Sequence, residues 1–155
     1  MYELPVDLPA DLVPLSWFIG VWEGTGVIDF GVDDERLSGE FAHRVSFSHD
    51  GGDFLNYSAT ATLIGDDEAR TPLVAEVGFW RLARRATRAD DGPGLLPAAS
   101  EAPARTAVDV EELRNADGGF DLEVSLVHSD GISELYLGQI RGPARGDRRS
   151  RTRAE

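Results

Sequence analysis

From Phe41 to Ser48 the chain alternates strictly: Phe41, His43, Val45 and Phe47 share one face of an extended strand, and Ala42, Arg44, Ser46 and Ser48 share the other. Leu55, Tyr57, Ala59 and Ala61 oppose Asn56, Ser58, Thr60 and Thr62 in the same way. A period of two with one apolar face specifies strands that bury a single side. That suits an antiparallel barrel or sandwich and argues against a parallel sheet covered on both faces. Strand-like runs lie at residues 21–30, 39–48, 54–63, 73–82, 106–113, 120–128 and 132–140. Turn-forming stretches such as His49-Asp50-Gly51-Gly52, Asn115 to Gly119 and Ser129-Asp130-Gly131 separate most of them. Connections this short pair neighbours in sequence, so the expected fold is an all-β antiparallel meander.

A short helix precedes the strands. Asp11 or its neighbours cap about two turns containing Leu12, Leu15, Trp17 and Phe18, with Pro14 tolerated in the first turn. Trp17 and Phe18 are then expected to face a core or to plug the end of a barrel. Residues 83–105, with Pro93, Pro97 and Pro103 and little apolar periodicity, are expected to be a disordered insertion. The arginines Arg81, Arg84, Arg85 and Arg88 read as a solvated loop edge.

Where the first strand begins, Gly20-Val21-Trp22-Glu23-Gly24-Thr25-Gly26 sets glycine at three of four alternate positions and tryptophan at the fourth. One strand face is then bare at Gly20, Gly24 and Gly26, open to another backbone or a flat ligand, and Trp22 supplies the bulk. Glycines spaced by two inside a strand do not form the phosphate-cradling turn that opens a helix.

The 155 residues fit one domain, which at this size buries roughly 70% of its unfolded surface. The absence of cysteine excludes disulfides and thiolate chemistry. No apolar run approaches the roughly 20 residues of a membrane span, and the first residues lack signal-peptide character, so a cytoplasmic address and no membrane partner are expected. The net charge is −13. Residues 141–155 hold six arginines against Asp147 and Glu155, a net of +4, so residues 1–140 carry −17. An acidic body repels phosphate backbones, and nucleic acid is not an expected partner.

Four motifs in order across residues 12–140 carry a resemblance. They are Gly20–Gly26 as G-x-W-x-G-x-G, Val45 to Gly51 followed by Phe54-Leu55-Asn56-Tyr57, Glu76-Val77-Gly78-Phe79-Trp80-Arg81, and Leu126 to Glu134 around His128-Ser129-Asp130-Gly131. Together they resemble the nitrobindin family. The resemblance implies a ten-stranded barrel shaped like fatty-acid-binding proteins and lipocalins, with b-type haem in a wide cleft. It implies a haem-binding histidine near the C-terminus, nitric oxide binding, and isomerisation of peroxynitrite to nitrate.

The sequence departs from that pattern after Gly142: there is no histidine beyond His128, and the arginine-rich residues 143–155 contain no large apolar side chain. The expectation is therefore a nitrobindin-like barrel over residues 1–142, incomplete at the C-terminus, followed by a disordered tail. It is expected to lack haem ligation, the haem cofactor, a metal and catalysis. A hydrophobic small molecule would occupy a cleft lined by Phe41, His43, Phe47, Tyr57 and Trp80. Open sheet edges would favour self-association. The alternative is a haem-binding peroxynitrite isomerase with an unorthodox ligand such as His43 or one from a partner. A decayed gene product is a third reading. Glu23, Glu76 and Glu134 are the available carboxylates, but their spacing specifies no reaction.

Overall fold

The computed structural model describes residues 7–65, 67, 69–92, 96–100 and 105–141. Alternation produces the architecture directly. Six strands, β1 Gly20–Val32, β2 Glu35–Ser48, β3 Phe54–Ile64, β4 Arg70–Leu82, β5 Phe120–His128 and β6 Ser133–Ile140, form one sheet in sequence order. Every neighbouring pair is antiparallel, giving a meander curled into a half-barrel, with β1 and β6 as its edges among the described residues. Hairpin turns fix the register. At Ser129-Asp130-Gly131, Gly131 takes φ 91°, a left-handed conformation that glycine adopts without steric cost. A bulge between Thr60 and Thr62 shifts the β3–β4 register where Pro72, which has no N–H for the ladder, enters β4.

A 3-10 helix, Ala10–Phe18, lies against the inner face at one end of the sheet. Its Leu12 and Leu15 are fully buried with Phe47, Leu55, Leu82, Phe120, Leu122 and Ile140. Strands β2 to β5 thus contribute alternate residues to one apolar layer, most clearly β5, where Phe120, Leu122, Val124 and Leu126 are buried. At roughly 1.5–3 kcal/mol per large apolar side chain, this layer is the main stabilising term. The buried Asp11 carboxylate is paired with Arg105 at 2.7 Å, which fastens the helix to the segment beyond residue 104.

The strand expected at residues 106–113 is instead a helix, α1 Ala107–Glu111. Thr106 and Asp109 form a reciprocal capping box: the Asp109 carboxylate accepts from the Thr106 N–H at 2.7 Å, and the Thr106 hydroxyl accepts from the Asp109 N–H. Val108 and Val110 suggested a strand, and the local cap overrode them. Residues 83–92 and 96–100 have no helix or strand. Within them Arg84 nonetheless bridges Asp53, at 2.7 Å, and Asp90. Arg81 pairs with Glu123 at 2.6 Å. The expected tail, residues 143–155, lies outside the described residues.

Candidate functional site

The pairing registers place side chains of the inner face in cross-sheet rows. One row runs Gly20–Phe47–Tyr57–Gly78–Leu126–Glu134, and the next runs Trp22–Val45–Ala59–Glu76–His128. A third joins Leu55, Trp80, Val124 and Tyr136, and a fourth joins Gly24, His43 and Ala61. All four motif positions, Gly20, Trp22, Gly24 and Gly26, therefore share a face with Phe41, His43, Phe47, Tyr57 and Trp80.

Phe47, Tyr57 and Trp80 do not line open space alone. They pack with Phe18 of the helix, with ring centroids 5.2 Å apart for Phe18–Phe47, 5.1 Å for Phe47–Tyr57 and 5.3 Å for Phe47–Trp80. Phe41 covers Gly26, where a Cβ would come within 2.8 Å of the ring. His43 lies beside Phe41, at 6.2 Å between ring centroids. His49 is a turn residue whose Nδ1 accepts from the Gly51 N–H at 3.3 Å. Trp22 has a role that composition did not reveal: its indole N–H donates to the Phe18 carbonyl at 2.7 Å and ties β1 to the end of the helix.

A polar group occupies the opposite end of the same face. His128 Nε2 is 2.7 Å from Glu134 Oε2, and Glu134 also accepts from the Tyr136 hydroxyl. These two bonds, Tyr136 first, hold the Glu134 carboxyl below its ordinary range. The Tyr136 phenol is pushed up in return, mainly by its bond to Glu134. Glu76 faces His128 directly across the β4–β5 ladder and accepts from the Tyr57 hydroxyl at 3.5 Å. Burial first, and Glu76 second, push Tyr57 up to about 12. Tyr136 and the joint role of these five groups were missed from sequence. The signal was available, because a tight turn at Ser129–Gly131 returns Glu134 to the face of His128. His43 on β2 and His128 on β5 are separated by three steps in the strand order, and no contact joins them among the described residues.

The inner face suits a flat, mostly apolar ligand. A Cβ at Gly20, Gly24 or Gly138 would meet nothing within 4 Å, so the glycine positions are bare floor. Trp80 Nε1 is buried without a hydrogen-bond partner among the described residues, a donor on the same face. A groove of about 620 Å³ is lined by Asn56, Val77, Phe79, Ser125, Val127 and Leu135 together with Tyr57, Gly78, Leu126 and Glu134 of the inner-face rows. Among the described residues no helix is long and apolar enough to cross a membrane, and no group of His, Asp or Glu is arranged to hold a metal ion.

A helix-plugged antiparallel meander with a glycine-floored inner face defines a small-ligand-binding β-barrel. More particularly, the chain belongs to the nitrobindin family: the family model described as "THAP4-like, heme-binding beta-barrel domain" matches residues 11–149. It is 55% identical over 143 residues to a peroxynitrite isomerase of Leifsonia xyli subsp. xyli, covering 92% of this chain and 71% of the relative. It is 57% identical over 141 residues to one of Clavibacter michiganensis subsp. michiganensis, covering 91% and 70%. A third, from Arthrobacter sp. (strain FB24), is 50% identical over 142 residues, covering 91% and 68%.

These likenesses correct two expectations. A barrel without catalysis and a chain without a haem cofactor are both overturned, because the family is haem-binding and relatives at 55% and 57% identity are named peroxynitrite isomerase. Both expectations rested on where the sequence ends. That carries no weight when the chain spans only about 70% of those relatives.

Proposed function

We propose that this chain acts as a haem-binding peroxynitrite isomerase, with the haem seated on the inner face of the half-barrel. The observation that carries the reading is the bare floor at Gly20 and Gly24, on the same face as the partnerless Trp80 N–H, in a chain of this family. Trp22, Val45 and Leu126 would hold the apolar part of the ligand. When bound, ferric haem supplies an electrophilic iron that binds small anionic ligands. The chain supplies a pocket wall that excludes water from one side, and a polar end at His128, Glu134 and Tyr136. The open edges of β1 and β6 support pairing with further strands or with a second copy.

The test is a titration of the purified protein with ferric haem, followed by mixing with peroxynitrite. A saturable shift of the Soret band at one haem per chain, with faster decay and a higher nitrate yield, is expected. Non-saturating partitioning, or a nitrate yield equal to the protein-free blank, would rule the reading out.

A further inference from the structure

The row that starts at Trp22 ends at an imidazole for which the reading above has no specific use. His128 is 16% exposed and sits on β5 between Glu76 on β4 and Glu134 on β6. Among the described residues, Glu134, Glu76, Tyr136 and Asp130 are the titratable groups that this arrangement brings together. Glu134 accepts from His128 and Tyr136, Glu76 accepts from Tyr57, and Asp130 acts on Glu134 from the turn. A carboxylate on Nε2 fixes the neutral ring as the Nε2–H tautomer and leaves the Nδ1 lone pair as acceptor. No hydrogen bond reaches Nδ1 among the described residues. The flanking carboxylates repel an anion and admit a neutral molecule that carries an O–H donor.

We propose that His128 is a catalytic base for a small neutral peroxy acid, the protonated form of the substrate, with Glu134 and Tyr136 as its positioning residues. The inference rests on the isomerase reading and names the form of substrate that this end of the site accepts. The substrate O–H bond breaks, an Nδ1–H bond forms, and the electron pair stays on the terminal peroxy oxygen. The anion isomerises as its O–O bond breaks and the released oxygen forms a third N–O bond, giving nitrate, a very weak base, and the Nδ1 proton then passes to water. Atoms and charge balance: one peroxynitrous acid and one water give one nitrate and one hydronium. No oxidant or reductant is needed.

The deciding experiment compares wild-type, His128→Gln and Glu76→Gln proteins, haem-loaded, in stopped-flow decay of peroxynitrite from mildly acidic to alkaline pH. Nitrogen NMR of the imidazole in the haem-free wild-type chain runs alongside. His128→Gln should keep the haem affinity and lower kcat/KM on the order of a hundredfold. Glu76→Gln should carry activity to higher pH, because the anionic form is then less repelled. NMR should show the neutral Nε2–H tautomer. An unchanged rate in His128→Gln, with wild type active, overturns this inference alone, as does an Nδ1–H tautomer, a readout that does not depend on the variant folding. A wild type that makes no nitrate above the blank overturns the isomerase reading and this inference with it.

Discussion

Trp22 and His128 stand at opposite ends of one row across five strands, linked through Val45, Ala59 and Glu76 by direct register pairs. One end anchors the plug and the other gathers the ionisable groups, so a single line across the sheet joins the fold's closure to its chemistry. Trp22 is 53% exposed, and its indole N–H makes a 2.7 Å bond to the Phe18 carbonyl. Trp22→Phe keeps a ring but removes the donor. The expected loss is about 1 kcal/mol in urea unfolding, with earlier proteolysis at the helix end. An unchanged midpoint would mean that the bond does not fasten the helix.

Arg84 is a second fastening point. Its side chain is 14% exposed, and its guanidinium bridges Asp53 and Asp90. Its bonds, chiefly to Arg84 and then to the Thr87 N–H, hold Asp90 far below the carboxylate range. A depressed folded pKa means stability that is present above the unfolded value, near 4, and lost as pH falls below it. Arg84→Gln should cost about 2 kcal/mol at neutral pH, less than a fully buried pair because Asp53 is 38% exposed. The difference from wild type should narrow in acid. A constant difference from neutral to acid pH would show that the ion pair is not the cause.

The meander was legible because alternation and turn chemistry agree along the chain. Expected strand 120–128 coincides with β5, and the others shift by a few residues at their ends. Residues 106–113 failed because two valines outweighed the Thr106–Asp109 cap in the reading, although the cap wins locally. The glycine motif announced a bare strand face but not the partner of Trp22, since a hydrogen bond to Phe18 depends on where the helix docks. The polar end was hidden for a related reason. His128, Glu76 and Glu134 are on three strands, and only their registers bring them together. The function was misread because one residue type, histidine after position 128, was given more weight than four ordered motifs.

Alkaline titration probes the buried end of the tyrosine network. Tyr57 is pushed up to about 12 by burial and by Glu76, against an ordinary value of 10. The sign is that of a raised folded pKa: the contribution is complete below pH 10 and is lost as pH rises through 12. Absorbance should show a tyrosine that ionises late, at or with alkaline unfolding, and that disappears in Tyr57→Phe. Glu76→Gln should bring it partly back toward 10, burial being the larger cause. All three tyrosines ionising together at the ordinary value would contradict the packing of Tyr57.

Two glycines on the inner face separate ligand binding from folding. A Cβ at Gly78 would lie 1.9 Å from the Ser125 carbonyl oxygen and 2.8 Å from Leu126 Cδ2, so β4 and β5 can approach only because no side chain is there. Gly78→Ala should cost about 3 kcal/mol or more and disturb the β4–β5 ladder. At Gly24 a Cβ would meet nothing within 4 Å. Gly24→Ala should leave the melting temperature unchanged or slightly higher, because a less flexible unfolded chain offsets any local cost. It should nonetheless weaken haem binding about tenfold, since a methyl group on the floor loses roughly 1–1.5 kcal/mol of close contact with a flat ring. Paired haem titrations and thermal melts distinguish the roles. Should Gly24→Ala bind haem as wild type does, the bare strand face would not be the seat of the ligand.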